Sequence, residues 1–132
     1  MTTVLDTHAW LWWVTSDRRL SKPARAAIER AQRGSNLWLS MISVWEVAKK
    51  VEKGQLVFDR PVSEFIDQAL HQPGLEVAEI TRPVLLESCS LPGPFHGDPA
   101  DQIIVATVRL RGAQLITADQ RIQDYAHVRS VW

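Results

Sequence analysis

The chain has 132 residues, of which 45% are hydrophobic and 23% are charged, a composition typical of one globular domain. Fifteen Lys and Arg residues balance fifteen Asp and Glu residues, so net charge alone does not favour nucleic-acid binding, although a local basic surface is compatible with it. The single cysteine, Cys89, excludes an internal disulfide and a cysteine-based zinc site, and we expect it in the core on a helix. The sequence has no basic leader and no apolar run of bilayer length, which predicts a cytoplasmic protein that does not bind membranes.

Short apolar runs alternate with helical segments along the chain. Four to five strands are predicted, at residues 2–5, 36–39, 75–80, 114–117 and 128–131. Helices are predicted at residues 8–15, 21–33, from Ser40 or Ser43 to Lys53, at 61–72, from Thr81 onward, and at 98–112. The strands are apolar throughout rather than alternating, which indicates burial on both faces. The sequence therefore predicts one α/β domain over residues 1–132, with a short parallel sheet covered by helices.

The chain contains six tryptophans, and most are expected in the core because each ring can bury a large apolar area. Trp10 and Trp13 share a helix face, whereas Trp12 points elsewhere. An exposed Trp12 would indicate a dimer or partner surface. Stacking on RNA bases is a third interpretation, which the sequence favours less.

Acidic residues occur where predicted strands end or where helices begin. Asp6 closes the first strand and Asp119 follows the fourth, so both are expected at the same edge of a parallel sheet. Glu46 lies one to two turns into a helix, while Asp98 and Asp101 lie at the start of another. Each acid has a structural explanation when taken alone, since Asp98 and Asp119 suit helix N-caps and Asp101 suits a first helical turn.

Together, these acids form a pattern that capping does not explain. Clustered carboxylates repel one another and raise one another's pKa unless a cation compensates them. Carboxylate oxygens are hard ligands that favour Mg²⁺ or Mn²⁺. No competing zinc site is expected, because no ligand spacing relates the four histidines, His8, His71, His96 and His127.

Four segments together resemble the PIN-domain ribonucleases, and in particular the VapC-type toxins of bacterial and archaeal toxin–antitoxin pairs. The segments are VLDTHAWLWW, SVWEVAKK, GDPADQIIVAT and LITAD, in this order. Each motif alone is weak, but the four in order, in a chain of this length, are specific. The resemblance extends from about Thr3 to the end of the chain.

The resemblance implies a metal-dependent endoribonuclease whose acidic quartet falls on Asp6, Glu46, Asp101 and Asp119. It implies that one or two Mg²⁺ or Mn²⁺ ions bind to Asp6, Asp101 and Asp119, with Glu46 as a further ligand or as the group that orients water. Supporting roles are expected for Asp98, Thr117 and Thr7. The family also implies RNA as substrate, a homodimer, and a small antitoxin that often places an arginine in the acidic pocket.

The sequence departs from the subgroup's pattern beside the third acid. Ala100 and Gln102 stand where Phe and Arg are frequent, and Gly97 replaces an Arg that often follows the histidine. None of these positions is an expected ligand, so the departures bear on substrate positioning and on the antitoxin contact.

Basic residues near the acids are candidates for RNA contacts, namely Lys49, Lys50 and Arg18. The alternative for each is a solvated face, with Glu46 and Lys50 as an i, i+4 ion pair. His8 and His96 either approach the substrate or pack against the protein. Two other functions stay open at this point: a PIN nuclease of RNA maturation or decay without an antitoxin, and a binding module that has lost its chemistry.

Overall fold

The computed structural model describes all residues from Met1 to Trp132 and contains one five-stranded parallel sheet. The strand order is β3-β2-β1-β4-β5, so the first strand lies at the centre. The strands are β1 (Thr3–Leu5), β2 (Leu37–Ser40), β3 (Leu75–Ala78), β4 (Gln114–Ile116) and β5 (Arg129–Val131). The predicted parallel α/β fold is thus confirmed.

Seven helices cover the sheet. They are α1 (Thr7–Val14), α2 (Lys22–Arg33), α3 (Ile42–Glu52), α4 (Val62–Leu70), α5 (Arg82–Ser88), α6 (Pro99–Leu110) and α7 (Gln120–Gln123). Their apolar faces form two buried clusters, one containing Trp10 and Ile28 and the other containing Ile104 and Ile122. The central strand sends Leu5 into the first cluster and Val4 into the second, because successive strand residues point to opposite faces.

The register of the central strands fixes the position of the acidic edge. Leu5 lies beside Leu39 of β2 and Ile116 of β4, so Asp6 leaves the sheet between the ends of both neighbours. The Asp6 N–H still donates a hydrogen bond to the Ile116 carbonyl, at 3.1 Å. The residues that directly follow β1, β2 and β4 therefore lie close together at the carboxyl edge of the sheet.

Several element boundaries differ from the sequence prediction. Helix α3 begins at Ile42 with Met41 as its N-cap, so neither predicted serine occupies the cap position. The Ser40 hydroxyl accepts a hydrogen bond from the Ile42 N–H at 3.3 Å, and Ser43 is buried inside the helix. Helix α4 ends at Leu70 and β3 at Ala78, each two residues before its predicted end.

Most tryptophans contact the core, as predicted, but they are buried less completely than expected. Only Trp10 is fully buried, while Trp45 is 54% exposed. The remaining four are half-buried: Trp12, Trp13, Trp38 and Trp132. For Trp12 and Trp13 the reason is geometric, because a helix buries one face only and these two residues lie beside Trp10 on the same helix.

Cys89 was also predicted in the core, and the structure places it at the exposed C-cap of α5. Ser88, one position earlier, occupies the buried position instead. Val84 and Ser88, four residues apart, form the buried face of α5, which packs on α6, and Cys89 lies outside that face. No helix in the chain combines the length and the apolar character that crossing a membrane requires.

Candidate functional site

A cavity of about 360 Å³ opens at the carboxyl edge of the central strands. Five of its lining residues are acids, whereas only Lys50 and Arg121 carry a permanent positive charge. Trp12 and Ala118 are its two apolar residues. The complete lining is Asp6, Thr7, His8, Trp12, Glu46, Lys50, Asp98, Asp101, Ala118, Asp119 and Arg121.

Asp6 is the most deeply buried acid of the cavity, with 6% of its surface exposed. It is the N-cap of α1, and its Oδ1 accepts a hydrogen bond from the Ala9 N–H at 2.8 Å. Burial raises the pKa of Asp6 to about 6, hydrogen bonds from Thr117 and Ala9 oppose that rise, and Asp101 and Asp119 reinforce it. Loss of solvent therefore dominates the electrostatics of this carboxyl group.

Glu46 reaches the cavity from α3 and is held by two hydroxyl groups. The Thr7 hydroxyl donates to Glu46 Oε1, and the Ser43 hydroxyl lies 2.8 Å from the Thr7 oxygen. Because Thr7 has one hydroxyl proton and gives it to the carboxylate, Ser43 must donate to Thr7. Burial raises the pKa of Glu46, and the Thr7 hydrogen bond lowers it in part.

The start of α6 supplies the next two acids. Asp98 is the N-cap, and its Oδ1 accepts the Asp101 N–H at 3.1 Å. Asp101 Oδ2 lies 2.7 Å from His96 Nε2, and the Asp101 side chain is only 17% exposed. Burial raises the pKa of Asp101, as do Asp98 and Asp119, while His96 lowers it.

Asp119 lines the cavity from the start of α7, where it is the N-cap. Its carboxylate accepts hydrogen bonds from Arg121 Nε at 3.3 Å and from Arg121 Nη2 at 2.9 Å. These contacts hold the pKa of Asp119 below its usual value. The same Nη2 lies 3.7 Å from Asp101 Oδ2, and the Thr117 hydroxyl accepts the Asp119 N–H at 3.0 Å.

Comparison with known proteins shows the family to which the chain belongs. Residues 3–128 match the family model described as PIN domain. The chain belongs to the PIN-domain family. It is 36% identical over 132 residues to Ribonuclease VapC22 of Mycobacterium tuberculosis, an alignment that covers 99% of this chain and 98% of the relative. The resemblance seen in the sequence is confirmed.

Solved structures show the same PIN fold at low sequence identity. A chain of VapBC2 from Rickettsia felis, bound to a DNA fragment from its promoter, matches with a TM-score of 0.73 and 15% identity, covering 99% of this chain and 98% of that chain. A chain of a Klebsiella pneumoniae toxin–antitoxin complex matches with a TM-score of 0.66 and 23% identity, covering 98% and 96%. A chain of DNA-bound VapBC from Salmonella typhimurium gives 0.69 and 16%, covering 99% and 97%.

The donors in this PIN cavity fit a divalent cation. One ligand atom from each of His96, Asp101 and Asp119 lies within 4.8 Å of the others. The cavity adds the carboxyl groups of Asp6 and Glu46, and burial raises the pKa of both. Two permanent cations face five acids, so a bound divalent ion would relieve both the repulsion and the desolvation.

His96 was not among the expected ligands, and the structure places it with two of the acids. Spacing between histidines gives no signal for this contact, because His96 approaches an acid, Asp101, across the loop before α6. A hydrogen bond from Gln102 Nε2 to the His96 carbonyl, at 3.1 Å, holds this loop. The only signal in the sequence is that His96 and Asp101 lie five residues apart across a rigid turn.

The predicted RNA-contact residues separate in the structure. Lys50 lines the cavity, whereas Lys49 forms an ion pair with Glu52 at 2.6 Å and lies outside it. Arg18 does not line the cavity, but its neighbour Arg19 lies over the Trp12 ring at 4.8 Å. His8 lines the cavity, and burial together with Lys50 lowers its pKa.

Replacing Asp6 with Asn should stabilise the metal-free protein near neutral pH. Asn can accept the same capping hydrogen bond, so the change mainly removes a buried charge. The rise in pKa from 3.8 to about 6 corresponds to roughly 3 kcal/mol of unfolding free energy at about pH 7. Below its unfolded pKa of 3.8, Asp6 is protonated in both states and its burial carries no charge penalty. The protein loses stability as the pH rises through about 6, where Asp6 becomes charged in the folded state. The advantage of Asn therefore shrinks on acidification.

Urea unfolding in EDTA, at neutral and acidic pH, measures this effect. The control is Asp59→Asn, because the Asp59 side chain is 88% exposed and its loss should change stability by less than about 0.5 kcal/mol. Equal stability of Asp6→Asn and wild type at neutral pH would contradict the claim that the buried Asp6 charge reduces stability. An advantage of Asp6→Asn over wild type that grows on acidification would contradict it as well.

Proposed function

We propose that this PIN-domain protein is a metal-dependent endoribonuclease that hydrolyses RNA phosphodiester bonds and acts as the toxin of a toxin–antitoxin pair. The main support is 36% identity to a VapC ribonuclease over the whole chain, combined with an acidic cavity that retains all four acids of the quartet. A module that had lost its chemistry would have no reason to keep buried carboxyl groups together at a cost in stability.

Asp6, Asp101 and Asp119 would hold one or two Mg²⁺ or Mn²⁺ ions. His96 lies within 4.8 Å of Asp101 and Asp119, ligand atom to ligand atom, whereas Asp6 and Glu46 line the same cavity outside that group of three. When bound, such an ion neutralises charge on the phosphate and makes a water more acidic. The Thr7 hydroxyl is bonded to Glu46 Oε1, and Glu46 Oε2 has no hydrogen-bond partner within the chain. Glu46 Oε2 can therefore accept a proton from the attacking water and orient that water.

The basic residues of the cavity would bind the phosphate. Lys50 and Arg121 line it from opposite elements, α3 and α7. Arg121 is already anchored by two hydrogen bonds to Asp119, which fixes its guanidinium group at low entropic cost. Hydrolysis by water needs no 2′-hydroxyl group, and the resemblance to PIN-domain ribonucleases implies products with a 5′-phosphate and a 3′-hydroxyl.

Cleavage of end-labelled total RNA in Mg²⁺ or Mn²⁺, with EDTA as the metal-free arm, tests the activity directly. Asp6→Asn and Asp101→Asn should each slow metal-dependent cleavage at least about 100-fold, because each removes a charged oxygen ligand. Asp59→Asn, prepared in the same way, should cut like wild type. Equal cutting by all four proteins would reveal a contaminating nuclease, and no cutting by folded wild type would contradict the function.

The protein would act in the cytoplasm with a small antitoxin as partner. Structural relatives of this chain come from toxin–antitoxin complexes, which supports such a partner. The acidic cavity also accepts a guanidinium group, since Arg121 contacts Asp119 there at 2.9 Å. An arginine of an antitoxin would find carboxylate oxygens of the same kind on Asp6, Glu46 and Asp101.

We also propose a homodimer, formed through an apolar groove between α3 and α6. The groove encloses about 570 Å³, and eight of its nine lining residues are hydrophobic. Trp45, at 54% exposure, is its largest side chain, and an exposed apolar surface of this kind is typical of an interface. The lining is Met41, Ile42, Val44, Trp45, Ala48, Ile80, Pro99, Ala100 and Ile103.

The mass in solution, measured by light scattering, tests the dimer. Wild type should have twice the 15.0 kDa of one chain, and Trp45→Glu should have the mass of one chain because a charge cannot be buried there unpaired. Leu110→Glu is the matched control, since Leu110 is 50% exposed and lies outside the groove. A monomeric wild type, or a dimeric Trp45→Glu variant, would contradict the proposed interface.

A further inference from the structure

One wall of the acidic cavity is aromatic. Trp12 and His8 lie one helical turn apart on α1, with ring centroids separated by 5.7 Å and planes inclined by 50°. Both residues line the cavity, where Trp12 and Ala118 are the two apolar side chains. Part of the Trp12 surface packs against the first apolar cluster, and the remainder lines the cavity, where core packing does not account for it.

The Trp12 ring is held in place by neighbours outside the cavity. Arg19 places its guanidinium carbon 4.8 Å from the ring centroid, and Asp17 fixes Arg19 through contacts of 2.8 Å and 3.1 Å. Trp132 packs against the same indole at 5.7 Å. Trp12 is therefore a half-buried, fixed aromatic surface beside the carboxylates rather than a mobile surface side chain.

Positive charge borders this surface on two sides. Lys50 lines the same cavity, and the Arg19 side chain remains 68% exposed despite its ion pair with Asp17. Proteins that bind single-stranded nucleic acid combine cations that follow the backbone with aromatic rings that stack on bases. The wall formed by Trp12 and His8, with Lys50 and Arg19 beside it, has both components.

We propose that Trp12, with His8 beside it, stacks on an unpaired nucleobase next to the phosphate that is cut. This proposal rests on the proposed nuclease function. A base in a duplex is already stacked on its neighbours, and only an unpaired base can turn onto the protein ring. Trp12 thus acts in substrate positioning, while the acids act on the phosphate.

Fluorescence anisotropy with a short labelled RNA of mixed sequence tests the proposal, using the Asp101→Asn protein to prevent cleavage. Loss of base stacking typically weakens binding about 5- to 150-fold, so Trp12→Leu should raise the Kd for the single strand by that factor. Trp12→Phe should retain most of the affinity, because a phenyl ring still stacks. The duplex formed by annealing the same strand to its complement should bind equally to the protein with Trp12 intact and to the protein with Trp12→Leu.

The matched control is Trp38→Leu. Trp38 is also half-buried beneath an arginine, with Arg111 lying 4.0 Å from its ring centroid, but it does not line the cavity. Its replacement should leave the Kd unchanged. If Trp12→Leu and Trp12→Phe bind equally well, the stacking role is wrong.

A series of RNAs with one abasic nucleotide each tests stacking without changing the folded protein. One abasic position should weaken binding to the protein with Trp12 intact by the same factor as Trp12→Leu, and should have no further effect on Trp12→Leu itself. Equal binding of every abasic strand would overturn the proposal. Cleavage by protein with Asp101 intact is measured alongside. If the protein cleaves RNA but the Trp12 substitutions leave binding unchanged, only the stacking role is refuted. If the protein shows no cleavage and no binding, the nuclease function is refuted as well.

Discussion

The cost of burying Asp6 at the end of the central strand governs the rest of this structure. The strand is enclosed by two apolar clusters, so a carboxyl group directly after Leu5 loses most of its water, and its pKa rises to about 6. Asp101 and Asp119 add further negative charge at the same edge. Nothing in the apolar core requires this arrangement. A bound divalent cation would supply the missing counter-charge, and without one the clustered acids reduce the stability of the protein.

Helix capping and metal binding do not compete at this site. Asp6, Asp98 and Asp119 each serve as an N-cap, of α1, α6 and α7 respectively. In each of them Oδ1 accepts a backbone N–H, which fixes the side chain. Asp119 Oδ2 is in addition bonded to Arg121 Nη2 at 2.9 Å, so a ligand at Asp119 would share that oxygen with the guanidinium group. Capping therefore pre-organises the acids, and the positive ends of the helices reduce their repulsion. The neutral residues Thr7, Ser43 and Thr117 orient the carboxyl groups without adding charge.

The sequence predicted the sheet, its parallel direction and the convergence of the acids, because apolar strand runs and strand ends can be read from local pattern. It did not predict which lysine faces the cavity, since neighbouring helix residues differ in direction by about 100° and a small rotation of α3 selects Lys50 over Lys49. It missed His96 for a similar reason, because the loop before α6 decides whether that ring reaches Asp101. Burial of the tryptophans depends on which helix faces the sheet covers, and that is a tertiary property.

Titration of the purified, metal-free protein with Mn²⁺, followed by electron paramagnetic resonance, tests the need for a cation most directly. Wild type should bind Mn²⁺ saturably, and Asp101→Asn should bind it at least about tenfold more weakly, because it loses a carboxylate oxygen from the centre of the cavity. The Asp59→Asn control should match wild type. If wild type binds no more Mn²⁺ than Asp101→Asn does, the buried acids are not compensated by a metal, and the central claim is wrong.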